Sequence, residues 1–153
     1  MTSDALDRRF RGESVGRALD LVGERWTLLI LREAFFGVRR YGQFVRNLNI
    51  PRPTLSARLK SLVEAGLLDR VPYAAEPDRF DYRLTVAGKE LFPAIVILMR
   101  WGDQYVPDPD GPAVVLEHTA CGQDADAYVA CRHCGEEINA QNVTARPGSG
   151  LSQ

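Results

Sequence analysis

The stretch "RPTLSARLKSLVEAGLL", Arg52 to Leu68, places the strongest constraint on the fold. Leu55, Leu59, Leu62 and Val63 recur at the spacing of one helix face. Gly66 supplies the stop, and Pro51 and Pro53 suit only a helix entry or first turn. A leucine stripe of this kind must be buried against other elements. The opposite face, near the helix start, carries Arg52, Thr54, Ala57, Arg58 and Lys60. The chain must therefore provide a packing layer for the leucines and a reason for the basic face.

The preceding sequence provides the layer. Val15, Ala18, Leu19 and Val22 predict an amphipathic helix that ends at Gly23. "WTLLILREAFFG" is apolar nearly all round, which predicts a central helix closed by Gly37. "YGQFVRNL" repeats the amphipathic spacing with Tyr41, Phe44, Val45 and Leu48. After Gly66 the period shortens. "LLDRVPY" and "FDYRLT" read as strands, and "AAEPDR" as the turn between them. Thr85 is placed to cap one long final helix from Val86 to about Tyr105. Its apolar residues, Leu91 through Tyr105, exceed what a small domain covers, so part of them is expected to form a subunit interface. "PDPDGP", Pro107 to Pro112, reads as a linker, and "TARPGSGLSQ" is expected to be disordered. The class is α+β, mainly α.

Charge points to a partner. The 153-residue chain has a net charge of -1, but from Ala34 to Val63 it holds six arginines or lysines and no acid. Solvated surfaces mix both signs, so a one-sign stretch suggests an anionic partner. Residues 106–153 reverse the balance, with 2 bases and 7 acids. The first residues lack the apolar core of a signal peptide. The run Leu91–Met99 contains Pro93 and is too short to span a bilayer. A cytoplasmic protein with no membrane partner is expected. Its three cysteines then suggest no disulfide framework.

Two short helices followed by a hairpin, on a three-helix core, make a winged helix-turn-helix. The second helix of the pair, about residues 52–65, would enter the major groove of double-stranded DNA, and the 72–82 hairpin would be the wing. The candidate DNA-binding residues are Arg52, Thr54, Ala57, Arg58 and Lys60 on that helix, Arg79 near the wing tip, and Arg39 and Arg40 before the first helix of the pair. Arg58 borders the leucine stripe, so part of its role is expected to be structural. Glu76 and Asp78 weigh against Arg79.

"ALDLVGERWTLLILREAFFGVRRYGQF", "LSARLKSLVEAGLL", "YRLTVAGKEL" and "MRWGDQYV" resemble the HxlR-type family of bacterial transcription regulators, relatives of the MarR group. The resemblance covers residues 13–106, taken as one domain. It implies a homodimeric winged-helix DNA binder whose first and last helices form much of the dimer contact, and an upstream operator. Two positions depart from the family pattern. Glu13 stands where many members carry a cysteine, some of which sense oxidants. Pro51 stands where many have a serine, so the side-chain cap of the recognition helix is expected to be missing. The expected mechanism is repression by promoter occlusion, relieved by an unknown small-molecule effector. Trp26, Phe36, Met99 and Trp101 are candidate pocket residues for it.

The tail, residues 113–145, forms a small extension. "HTACG" and "CRHCG" are two ligand-x-x-ligand-Gly turns, His118/Cys121 and Cys131/Cys134. Zinc favours four tetrahedral N/S ligands, and two such turns supply them. A zinc-ribbon-like element with a structural zinc is one expectation; a small strand pair with reduced cysteines and an eroded ancestral site are the others. His133 is a competing ligand. The βαβ context of a thioredoxin-like site and the His-x-Glu of a zinc deaminase are absent. The rival function is a protein-interaction module that works through this tail, with the winged helix as dimer scaffold. No nucleophile–base pair or phosphate-cradling loop suggests an enzyme.

Overall fold

The computed structural model describes residues 13–73, 76–146 and 149. Parts of the sequence judged free of a signal peptide or disordered lie outside these residues. The first helix, α1 (Ser14–Val22), starts at Glu13, whose carboxylate accepts from the amides of Val15 and Gly16 at 3.0 and 3.3 Å. The residue that replaces the family's cysteine is thus a helix N-cap. Glu24 does the same for α2 (Arg25–Phe35), accepting from Trp26 and Thr27. Gly37, with φ +88°, follows α2 in the left-handed conformation that glycine adopts without strain.

Helix α3 (Tyr41–Leu48) is capped by the Gln43 side chain, which accepts from the Arg40 amide at 3.1 Å. Helix α4 (Arg52–Glu64) has Pro51 at its N-cap and no side-chain cap bond, as the missing serine predicts. The core beneath these helices contains Ile30, Leu31, Phe44, Leu55, Leu59, Leu62 and Leu68, all fully buried. Each contributes roughly 1.5–3 kcal/mol by leaving water. Glu33 is buried among them but satisfied. Its carboxylate accepts from Arg32 and from Asn47, both at 2.8 Å, and the second bond ties α2 to α3.

Strand β1 (Leu68–Tyr73) pairs antiparallel with β2 (Glu76–Leu84), from Leu68↔Leu84 to Pro72↔Phe80. The register shifts between Pro72 and Tyr73, and Tyr73 pairs with Glu76. This corrects the expected turn: Glu76–Arg79 belong to β2, because the bulge carries pairing almost to the tip. The segment before α3 adds a further edge. The Tyr82 amide donates to Arg39 O at 2.8 Å, and Arg40 bridges to Asp81.

The single helix expected over residues 86–105 is also corrected. It is two helices, α5 (Val86–Lys89) and α6 (Phe92–Tyr105). Pro93 sits in the first turn of α6, where its missing N–H leaves no bond unmade. Thr85 Oγ1 caps α5 at Gly88 N (3.0 Å) and donates to Gly66 O (2.7 Å). Only Ile95 of α6 is buried.

The chain divides into two compact units, residues 1–95 and 96–153. The division falls inside α6. In the second unit β3 (Glu117–His118) pairs with β4 (Gln123–Asp124), and Ala130 bridges to Glu137. Arg100 Nε donates to Asp126 Oδ1 at 2.9 Å. No residue from 106 to 146 is buried. No helix among the described residues is long and apolar enough to cross a membrane.

Gly88 packs directly under the β1 entry: a Cβ there would collide with Leu67 O and lie 3.1 Å from Leu84 Cδ2. The Gly88→Ala variant is expected to lose about 1–3 kcal/mol of stability through overpacking against backbone. Thermal or urea unfolding beside Gly16→Ala, where a Cβ meets nothing within 4 Å, checks this.

Candidate nucleic-acid interface

Burial of Leu55, Leu59 and Leu62 fixes the rotation of α4 about its axis. Arg52, Pro53, Ser56, Ala57 and Lys60 are then exposed, while Thr54 and Arg58 are only half-exposed on the flank. The outward face is short-chained at its centre and basic at its edges. That shape admits close approach to a groove about 12 Å wide.

Tyr41 ties this helix to α3. Its hydroxyl donates to Arg52 O at 2.9 Å and meets Ser56 Oγ at 3.0 Å. The Arg52 guanidinium lies 5.8 Å from the Tyr41 ring centre. Tyr41 was counted only as part of an apolar stripe in the sequence, although a phenol in such a stripe needs a polar partner.

Beside the helix start lies an open cleft of about 930 Å³ between α3, α4 and the wing. Five arginines reach it: Arg40, Arg46, Arg52, Arg70 and Arg79. The acids nearby are largely engaged. Asp81, a buried residue, faces Arg40 at 3.7 Å and Arg83 at 3.3 Å. Arg40 also stacks 4.3 Å over the Tyr73 ring, and Arg70 3.6 Å over Phe80. Glu76 pairs with Arg79 at 2.6 Å, so the wing-tip arginine is already answered by its neighbour. Arg39 and Arg46 form no ion pair with another described residue. Arg46 belongs to the acid-free stretch but stands out only once α3 and the wing are in place. Arg70 is recognisable only from the cleft.

The other candidate residues have local partners. Lys60 is exposed and 3.8 Å from Glu64, one helical turn on. Arg58 turns back toward the Glu24 cap at 3.9 Å, with a side chain 35% exposed. It links α4 to the start of α2, the partly structural place expected of it. Of the candidate effector-pocket residues, Phe36 is 40% and Trp101 56% exposed. Neither the arginine-lined cleft nor a smaller one of about 360 Å³ beside Ser56, Lys60 and Glu64 touches Trp26 or Phe36.

In the tail, His118 Nδ1 and Cys121 Sγ stand 3.4 Å apart. The backbone amides of Cys134 and then His133 are aimed at the Cys131 sulfur, and the Cys134 thiol adds a bond, holding the Cys131 thiol below its ordinary range. The first pair is thus in contact. Among the described residues no three His, Cys, Asp or Glu side chains gather as a metal-binding group.

A three-helix core, a helix pair with a basic outer face and a hairpin beside it define a winged helix-turn-helix DNA-binding protein. Residues 21–110 match the HxlR-like helix-turn-helix family, and the chain belongs to it. It is similar to an uncharacterized HTH-type transcriptional regulator of Mycobacterium tuberculosis, Rv3095, at 66% identity over 99% of this chain and 96% of the relative. The crystal structure of PA1607, a candidate transcription factor, superposes with a TM-score of 0.79 at 34% identity, covering 92% of this chain and 99% of the other. PA1374 of Pseudomonas aeruginosa gives 0.64 at 34% identity, over 90% and 93% of the two chains. The protein is a DNA-binding transcription regulator.

Tyr41→Phe removes one hydroxyl and both of its contacts. It is expected to lower stability by about 0.5–1.5 kcal/mol while leaving the secondary structure intact. Urea unfolding followed by circular dichroism measures both.

Proposed function

We propose that the protein is a homodimeric, sequence-specific repressor that places α4 in the major groove. The observation that carries this reading is the outward face of α4. Arg52, Ser56, Ala57 and Lys60 are exposed together, next to the arginine-lined cleft between α4 and the wing. Arg52 and Lys60 flank small residues that let the helix approach base edges. Arg39, Arg40 and Arg46 supply phosphate contacts that set the register. Arg79 exchanges Glu76 for phosphate on binding, and Thr54 and Arg58 stiffen the flank.

Two apolar faces support a dimer. Val15 and Leu19 share one exposed face of α1, and Leu98, Trp101 and Tyr105 share one of α6. Faces of this kind exceed the scattered apolar residues normal on a monomer surface. Two-fold symmetry then matches a palindromic operator with half-sites about one helical turn apart. Occlusion of a promoter represses, and an effector that changes the spacing of the two α4 helices relieves it. The site of action is the cytoplasm, and no catalytic step is involved.

The test is fluorescence anisotropy with labelled DNA from upstream of the protein's own gene, across a salt series. Arg52→Ala is expected to weaken specific binding by about 1–3 kcal/mol. Lys60→Ala is expected to weaken all sequences alike and to lower the salt slope by about 1. Equal affinity for specific and unrelated DNA at every salt concentration, unchanged in both variants, would overturn the assignment of α4.

The dimer has its own readout. Leu19→Asp and Leu98→Asp are each expected to shift the particle to monomer mass in light scattering, with helix content retained. A monomeric wild-type protein at micromolar concentration would remove the dimer from the mechanism.

A further inference from the structure

The second unit poses a physical problem that DNA binding does not answer. Its backbone forms two well-defined turns, yet no residue from 106 to 146 is buried. Val114, Val115, Tyr128, Val129, Ile138 and Val143 are all exposed. Short segments without a core need another source of stability, such as a disulfide, a metal or a partner.

The two turns share one design. In the first, β3 and β4 pair through His118↔Gln123, and the amides of Cys121 and Gly122 donate to His118 O at 3.1 and 2.8 Å. In the second, Ala130 bridges to Glu137, and the Gly135 amide donates to Cys131 O at 2.7 Å. Gly122 and Gly135 have φ of +68° and +78°, so each loop turns back directly after its second candidate ligand.

The first pair also has the right separation. Zinc bonds of about 2.3 Å to sulfur and 2.0–2.1 Å to nitrogen, at a tetrahedral angle, place the two ligand atoms about 3.6 Å apart. His118 Nδ1 and Cys121 Sγ are 3.4 Å apart.

We propose that one Zn²⁺ joins the two turns into a four-coordinate structural site through His118, Cys121, Cys131 and Cys134. Thiolate and imidazole donors select zinc over magnesium or calcium. No three of these side chains meet in the structure, so it shows two half-sites. Residues 122–130 join the two turns, and binding of the ion draws the turns together. Binding converts three thiols to thiolates and releases their protons to solvent. Four protein ligands leave no open position, so the ion holds the fold of this unit and performs no catalysis. Closure substitutes for the missing core.

The test uses the full chain, purified under reducing conditions, loaded with Zn²⁺ and desalted. Metal content by elemental analysis is expected to be one Zn²⁺ per chain. All three thiols are expected to resist a thiol reagent until a chelator removes the ion. Each of His118→Ala, Cys121→Ser, Cys131→Ser and Cys134→Ser is expected to weaken Zn²⁺ more than the about 10–100-fold lost when an outer-shell partner is removed. Co²⁺ loading, read as the visible bands of a tetrahedral thiolate complex, gives a second measure on the unaltered chain. Zinc well below one per chain with three freely reactive thiols would overturn the proposal. So would affinity that depends on only one of the two pairs, or on His133 in place of His118. None of these readouts involves DNA, so their failure and the failure of the operator assignment are separable.

Discussion

Burial of Leu55, Leu59 and Leu62 against Ile30, Leu31 and Phe44 is the interaction on which the rest of the first unit depends. A helix has one rotational degree of freedom about its axis. Once three leucines at helical spacing are in the core, that freedom is gone, and the residues facing outward are decided. Tyr41 then removes the remaining play between α3 and α4, because its hydroxyl holds both Arg52 O and Ser56 Oγ. A groove-reading helix must present a few side chains with little positional error, and apolar packing with one tyrosine bridge supplies that rigidity.

Charge is organised around the same helix. The overall net charge is -1, yet the face beside α4 is rich in arginine. Several acids of this unit are held by other contacts, while Asp78 lines the cleft exposed. Glu24 caps α2, Glu33 is buried on Asn47 and Arg32, and Asp81 is buried between Arg40 and Arg83. A carboxylate locked in a cap or a buried pair projects little repulsion toward a phosphate, whereas Arg39, Arg46 and Arg52 are exposed and form no ion pair with another described residue. Local arrangement, and not net charge, sets the field that a polyanion meets.

The two ends of the chain's logic differ in kind. The first unit is held by a conventional apolar core. The second has paired turns, left-handed glycines and N/S donors, but no buried residue among its described residues. Burial of its own side chains does not supply its stability. Leu98, Trp101 and Tyr105 on α6 present the same question in apolar form, since helix burial in this chain reaches only Ile95.

Much of this was legible in the sequence because it follows from local periodicity. The four N-terminal helices, the glycine stops of three of them, the Thr85 cap and the missing side-chain cap at Pro51 all depend on residues within a turn or two of each other. So does the identity of the basic helix. Two local features escaped: the break before Pro93, hidden by an unbroken run of apolar residues, and the extension of β2 through Glu76, where a bulge outweighs the turn-forming composition. What only tertiary structure decided is which side chains share a neighbourhood. The pairing of Arg39 and Arg40 with β2, the burial of Asp81, the tie of Arg58 to Glu24 and the convergence of Arg46 and Arg70 on one cleft join residues far apart in the chain. Periodicity reports which face of an element is apolar. The partner of each polar group depends on how those faces dock, and that is set by packing over the whole core.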